Sequence, residues 1–324
     1  MGDGTTSGYG VSMRRLLLLA PLLLGCPSEE PLVDDPPVDH PPVRFLAVGD
    51  TGEGNQAQYD NAAVMEQVCA DQGCDFVLLL GDNIYDTGVT ALDDVQWQEK
   101  FELPFAGLDM PFYAVLGNHD YGNLTDEERA DFQVAYTEVS DKWVMPARHY
   151  THTQENVQFY GLDTQAMNFP EGLVDEYEAQ EAWIQDQLAD PADGWRIVYG
   201  HHPYLSNGRH GNAGAYDSFP SQFPVSGQLL KERFDESVCG SVDLYVCGHD
   251  HDRQFHETTC DGTRFIVSGA GAKLRDFRND QPTHFEDDQT PGFTWFEIDD
   301  DLLTVQFWDR TGAMNYEGGW TRGE

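Results

Sequence analysis

Basic residues are scarce in this sequence. Eighteen Lys and Arg stand against 57 Asp and Glu, a formal charge of −39. That deficit argues against nucleic acid as a partner, because a polyanion is held by neutralising cations. It fits a protein kept soluble by charge, in surroundings salty enough to screen self-repulsion. Long apolar runs are lacking as well. The run Leu16–Leu24 after Arg14-Arg15 is shorter than the about 20 apolar residues of a membrane-spanning helix, but it suits the apolar segment of a secretory signal. No repeat occurs at solenoid spacing.

Leu23-Leu24-Gly25-Cys26 resembles the lipobox of bacterial lipoproteins. The resemblance implies that residues 1–26 are a signal peptide ending at a lipidated Cys26. The protein would then be exported and anchored at the outer or inner membrane, facing periplasm or cell surface. The alternative is an ordinary signal peptide with an incidental cysteine. Residues 27–42 are proline and acid, with Pro36-Pro37 and Pro41-Pro42, a composition that buries no core and makes an extended tether. Residues 43–324 are expected to form one α/β domain. If Cys26 carries lipid, five of the six cysteines remain, so at least one is unpaired within the monomer. Cys69 and Cys74 flank a tight turn and can close a small loop. Cys239 with Cys260 is the second pairing, leaving Cys247 in its strand as a small hydrophobe.

What the chain has in abundance is one local pattern: an apolar strand, a glycine, then a metal-ligand residue. It occurs at Phe45–Asp50, Asp75–Asp82, Phe112–Asp120 and Leu244–His251, and at Arg196–His202 without the carboxylate. Short apolar runs read as strands buried on both faces, and ligands bind at the C-terminal ends of such strands. Five strand ends converging on Asp, Asn and His make a metal site. Between them the spacing predicts helices over 56–70, 126–139 (started at Thr125), 176–188 and 228–234, and a hairpin over 150–162. Strands are expected at 264–267, 294–298 and 302–308. Strands alternating with helices, then a β-rich tail, argue for two packed sheets with helices outside.

Asp50-Thr51-Gly52, Gly81-Asp82-Asn83-Ile84-Tyr85, Gly117-Asn118-His119-Asp120, Gly200-His201 and Gly248-His249-Asp250-His251 resemble, in order and spacing, the five blocks of calcineurin-like metallophosphoesterases. More narrowly they resemble the compact purple acid phosphatases, over about residues 43–273. The fold this implies is a four-layer α-β-β-α sandwich of two mixed sheets flanked by helices, with 43–324 as the catalytic domain. Asp50, Asp82, Tyr85 and His251 would hold a first metal, and Asp82, Asn118, His201 and His249 a second, Asp82 bridging both. His119 and His210 would face substrate as acid–base groups, Asp120 orienting His119 from behind. Arg209 would meet a phosphate oxygen, or else sit solvated in its loop.

One departure sharpens the resemblance. The wider superfamily opens Asp-x-His, the histidine being a ligand; here that position is Gly52, while Tyr85 follows Asp82 where the purple branch supplies a phenolate. A hard anionic oxygen implies Fe(III) at the Tyr85 site, with a second divalent metal, Fe, Zn or Mn, at the Asn118 site. Such cations also reverse locally a field that is otherwise hostile to phosphate. The implied activity is phosphomonoester hydrolysis in acid, by hydroxide supplied at the metals. The implied partners are a small phosphate-ester substrate, and the membrane only through lipid on Cys26, with the protein a monomer. The rivals are a phosphodiesterase or nucleotidase on the same site, and a non-catalytic surface lipoprotein. His202 reads as a pocket wall, His256 and His284 as surface residues, and Tyr177, Trp183 and Trp308 as core.

Overall fold

A computed structural model describes residues 1, 2, 8, 40–122, 125–170, 177–189 and 192–323, without the side chains of 177, 178 and 224. Cys26, the signal segment, most of the 27–42 stretch and the Tyr177 side chain therefore lie outside the described residues. Residues 39–324 form a compact unit. Among the described residues no helix is long and apolar enough to cross a membrane.

The chain builds two seven-stranded sheets. The first contains β1 (Val43–Val48), β2 (Phe76–Leu79), β3 (Phe112–Ala114) and β4 (Trp143–Val144) in parallel. In the second lie β5 (Tyr150–Gln154), β6 (Val157–Gly161), β7 (Arg196–Tyr199), β8 (Leu244–Cys247), β9 (Arg253–His256), β10 (Arg264–Ser268) and β11 (Thr283–Asp287). Its order is β11-β9-β10-β8-β7-β6-β5, with β6, β7, β8 and β10 parallel. The tail returns to the first sheet. There β12 (Gly292–Asp299), β13 (Leu302–Asp309) and β14 (Met314–Thr321) run antiparallel outward from β1.

Side-chain alternation, the period of two in a strand, assembles the layers. In β8, Leu244 and Val246 join the core between the sheets. Tyr245 and Cys247 join a second core under α4 (Tyr177–Leu188) and α5 (Gln228–Arg233), with Ile184, Leu188 and Leu230. Trp183 packs half-buried against the same cluster. Phe45, Phe76 and Phe159 interlock across the sheets, with Phe159 edge-on to the other two at 5.2 and 5.1 Å. Each such pair adds about 0.5–1.5 kcal/mol to the area it buries. On the far face of the first sheet, α1 (Gln56–Gln72) starts where the Asn55 side chain accepts from Gln58 N, 3.0 Å, and buries Ala62, Met65 and Val68. The result is the expected four-layer α/β sandwich.

Both expected disulfides form, Cys69–Cys74 and Cys239–Cys260, and Cys247 is free and buried. Some boundaries differ from expectation. The helix after Thr125 is α2 (Glu127–Ala135), with Asp126 as its N-cap, and it tightens into a 3₁₀ turn over Tyr136–Glu138. A four-residue helix, α3 (Thr164–Met167), was not expected, and neither were β9, β11 and β14. Those strands are polar (Arg253-Gln254-Phe255-His256 is β9), and a polar strand takes its register from neighbours rather than from an apolar run. His284 is exposed, but His256 is fully buried in β9, contrary to the surface position expected for it.

Candidate metal centre

The parallel strands of the two sheets bring their C-terminal ends together. A Cβ at Gly49 would stand 3.1 Å from Gly248 Cα, and one at Gly248 would stand 2.6 Å from Asp50 Oδ2. Only glycines let β1 and β8 end this close. The residues that follow turn sharply. Asp50, Asp82 and His249 all have left-handed backbones, with φ of 59°, 51° and 69°. Each costs about 1–3 kcal/mol outside glycine, and each swings its side chain out of strand direction into the shared cleft.

Two groups of donor atoms result. In the first, Tyr85 Oη lies 2.8 Å from Asp50 Oδ1, 2.8 Å from Asp82 Oδ2 and 3.3 Å from His251 Nε2. In the second, His201 Nε2 lies 3.1 Å from Asn118 Oδ1, 3.0 Å from His249 Nδ1 and 3.5 Å from Asp82 Oδ1. His201 Nδ1 is 2.8 Å from Leu80 O; a carbonyl only accepts, so that nitrogen carries the proton and Nε2 presents its lone pair. Asp82 therefore shows one oxygen to each group. All seven sequence-derived ligands, Asp50, Asp82, Tyr85, Asn118, His201, His249 and His251, meet here.

The electrostatics suit cations. Asp50, Asp82, Tyr85 and His201 are buried. Burial, then the Asp50 and Asp82 charges, push the Tyr85 phenol well above its ordinary range. Burial opposes charge on Asp82 too, but His201 and His119 hold its carboxyl below the usual value. Burial resists a charged His201 as well, yet Asp82 and Asp50 raise its pKa. Burial, with His210 and His202 close by, drives His249 the other way. Buried carboxylates gathered around a phenol and lone-pair nitrogens are a donor set that a multivalent cation would neutralise, ionising the phenol as well. The residues fit two metal ions.

Gly52 explains its own departure from Asp-x-His. Its N–H bonds Asp82 O at 3.3 Å and its carbonyl accepts from Tyr85 N at 2.8 Å. A Cβ there would meet Asn83 O at 2.3 Å. The loop pairing that delivers Tyr85 thus leaves no room for a side chain at 52.

Two expected roles are corrected by the geometry. Asp120 does not orient His119. Its carboxylate accepts from Gly117 N (2.8 Å), Asn83 N (3.1 Å), Ile84 N (3.2 Å) and Gln133 Nε2 (2.6 Å), clamping the Asp82–Tyr85 turn. Burial, then the Asp82 charge, lift its carboxyl to about 6. His119 is instead held by Asp86 O, 2.5 Å from its Nδ1, with Nε2 turned 4.0 Å from Asp82 Oδ2. His210 reaches the pocket beside Asn118 and His249, but both its nitrogens are engaged. Arg275 Nη1 donates to Nε2 at 2.7 Å, so Nδ1 carries the proton toward Asp217 Oδ2, 2.9 Å away. His210 thus presents no proton to the pocket.

Sequence reasoning missed Arg275, Asp217, Lys273 and Thr164. Lys273 Nζ lies 3.4 Å from the centre of the Tyr85 ring. The hydroxyl of Thr164 accepts from the backbone N–H of His201 and of His202. Arg275 and Lys273 follow Phe265–Gly271, one more apolar strand ending in glycines, so the signal was present without a ligand to mark it. Arg209 is exposed beside His210, and His202 lines the pocket wall.

Comparison with known proteins agrees with this geometry. Residues 43–253 match the family Calcineurin-like phosphoesterase. Tartrate-resistant acid phosphatase type 5 from Oryctolagus cuniculus is 30% identical, over 85% of this chain and 90% of the relative; the Homo sapiens protein of that name is 29% identical with the same coverage. Purple acid phosphatase 3 of Arabidopsis thaliana is 28% identical, over 86% of this chain and 78% of the relative. Among solved structures, that of "GAP50 the anchor in the inner membrane complex of Plasmodium" superposes with TM-score 0.71 at 22% identity, covering 87% of this chain and 90% of the other. PhoD gives 0.60 at 14% identity, over 89% and 70%. With its fold, its donor set and these relatives in agreement, the chain belongs to the calcineurin-like phosphoesterase family, as a homologue of the tartrate-resistant and purple acid phosphatases.

Proposed function

We propose that this protein is a binuclear-metal phosphatase that hydrolyses small phosphomonoesters, in acid and outside the cytoplasm. The observation that carries the reading is Asp82, whose Oδ2 faces Tyr85 while its Oδ1 faces His201. Asp50, Tyr85 and His251 would hold one cation and Asn118, His201 and His249 the other, with Asp82 common to both. The Tyr85 oxygen favours Fe(III) there, and a divalent ion suits the nitrogen-rich group. When bound, the pair neutralises phosphate charge and acidifies the attacking water.

The chain's own residues do the rest. Asp120 and Gln133 fix the turn that carries Asp82 and Tyr85. Thr164 fixes the backbone of His201. His119 donates its Nδ1 proton to Asp86 O, so a proton it takes up from solvent goes to Nε2, on the side facing Asp82, from where it would pass to the departing oxygen. His210 is engaged by Arg275 and would hold that guanidinium beside its own ring. The cavity beside Asn118 and His249 is about 190 Å³, room for a small phosphate ester. The same reading makes the protein an exported lipoprotein, lipidated at Cys26 and standing off the membrane on residues 27–42.

The test is metal analysis and a visible spectrum of the purified protein, with turnover of p-nitrophenyl phosphate and of its bis(p-nitrophenyl) diester. Two metal ions per chain, a coloured oxidised form and preference for the monoester are expected. Preference for the diester would make it a phosphodiesterase instead. A protein that takes up no metal and cleaves neither ester would end the proposal. Labelled fatty acid on the wild type but not on Cys26→Ser tests the anchor.

A further inference from the structure

In so acidic a chain, a basic side chain normally finds a carboxylate. Arg44 pairs with Glu297, Arg148 with Glu127 and Asp131, Lys231 with Asp235, and Lys273 with Glu53. Arg209, Arg275 and Arg278 make no ion pair among the described residues, and all three stand around His210. Arg209, His210 and Arg278 line a cleft of about 570 Å³. His210 also lines the smaller cavity beside Asn118 and His249, so the cleft and the pocket of the candidate metal centre adjoin at that ring.

The cleft is built rather than incidental. Its two walls are the loop after β7 and the connector between β10 and β11, and buried Asn207 ties one to the other. Asn207 O accepts from Arg278 N at 2.9 Å and Asn279 N at 3.0 Å. Asn207 Oδ1 accepts from Gln281 N at 2.7 Å, and its Nδ2 donates to Gln281 O and Glu286 Oε2. Arg275 is set by His210, itself held by Asp217. Guanidinium groups are planar, always charged and matched to phosphate oxygens. Without a carboxylate partner, and with Arg275 held by His210, in a field that otherwise repels anions, they mark where a second negative group is wanted.

We propose that this cleft is a subsite for a second phosphoryl group, so that the preferred substrates are small phosphomonoesters whose leaving group carries another phosphate. The inference rests on the phosphatase reading and specifies its substrate class. The metal centre takes the phosphate to be cleaved, and Arg275, Arg209 and Arg278 take the one that stays with the leaving group.

The test is kcat/KM of the metal-loaded enzyme on phenyl phosphate, on inorganic pyrophosphate and on a hexose 1,6-bisphosphate, for the wild type, Arg278→Gln and Arg209→Gln/Arg278→Gln. The exposed Arg310, which pairs with Asp60, is replaced by Gln as the control for bulk charge. Binding of methylenebisphosphonate against methylphosphonate is measured alongside. A charge-assisted contact is worth roughly ten- to a hundredfold. Selectivity for bisphosphate over monophosphate, in hydrolysis and in binding, should fall by about that factor in the double variant and stay put in Arg310→Gln. Equal losses on both substrate classes, or a wild type indifferent to the second phosphate, overturn the subsite while leaving the phosphatase intact. Absence of hydrolysis on every substrate overturns the phosphatase itself, and the two phosphonates then still decide the subsite.

Discussion

Replacing His256 by phenylalanine should flatten the acid limb of this protein's stability. The His256 ring is fully buried in β9, and neither nitrogen has a hydrogen-bond partner among the described residues. An unfolded imidazole titrates near 6.5, whereas burial pushes this one down to about 4. Between those values the unfolded chain binds the proton and the folded chain does not. Stability therefore falls as pH drops from 6.5 toward 4 and is level below. At 1.36 kcal/mol per pH unit, the interval amounts to about 3 kcal/mol. The wild-type curve alone does not reveal it, because Asp163 works in the opposite direction. Burial raises its carboxyl to about 6, so it takes up its proton earlier when folded and adds stability as pH falls from 6 toward the ordinary carboxylate value. Comparison with His256→Phe cancels that contribution and every other shared group. Urea unfolding of both proteins at pH 7.5 and pH 4.0 gives four free energies. The wild type should lose about 3 kcal/mol more than the variant on acidification. A difference between the two proteins that is the same at both pH values would refute the reasoning, since any packing change at position 256 is common to both.

Three further outcomes follow from the site and its supports. Asp82→Ala should lose both metal ions and lower turnover by on the order of a hundredfold or more, the upper end of what even indirect ligand supports contribute; mass spectrometric metal content that stays at the wild-type level would count against Asp82 as the shared ligand. Tyr85→Phe keeps the ring beneath Lys273 but removes the oxygen 2.8 Å from both Asp50 and Asp82, so the visible absorption of the oxidised iron-loaded protein should vanish while the fold persists; an unchanged spectrum would remove iron from that position. Joint replacement of Cys239 and Cys260 by serine opens a loop closed across 21 residues and should cost about 3 kcal/mol in urea unfolding, and a midpoint that does not move would show that the loop is ordered without the bond.

The parts of this protein written in local sequence are those whose physics is local. An apolar run too short for a buried helix is a strand, and a glycine with a ligand residue after it is a strand end facing a cleft. That was enough to expect a metal site at those strand ends, and the resemblance to the calcineurin-like family singled out Asp50, Asp82, Asn118, His201, His249 and His251 within it. Cys69 and Cys74, five residues apart, were legible for the same reason. What the tertiary structure alone decided depends on which distant segments become neighbours. Asp120 follows His119 in sequence, yet it serves Asn83 and Ile84, because the β2–β3 pairing brings that turn under its carboxylate. His256 looked like a surface histidine until β9 was found sandwiched between β10 and β11. The partners of His210 are Asp217 in its own loop and Arg275 from beyond β10, and only the strand order β10-β8-β7 sets those two loops side by side. Periodicity encodes which way a side chain faces; strand order across the sheets determines what it meets, and no short stretch of sequence contains that.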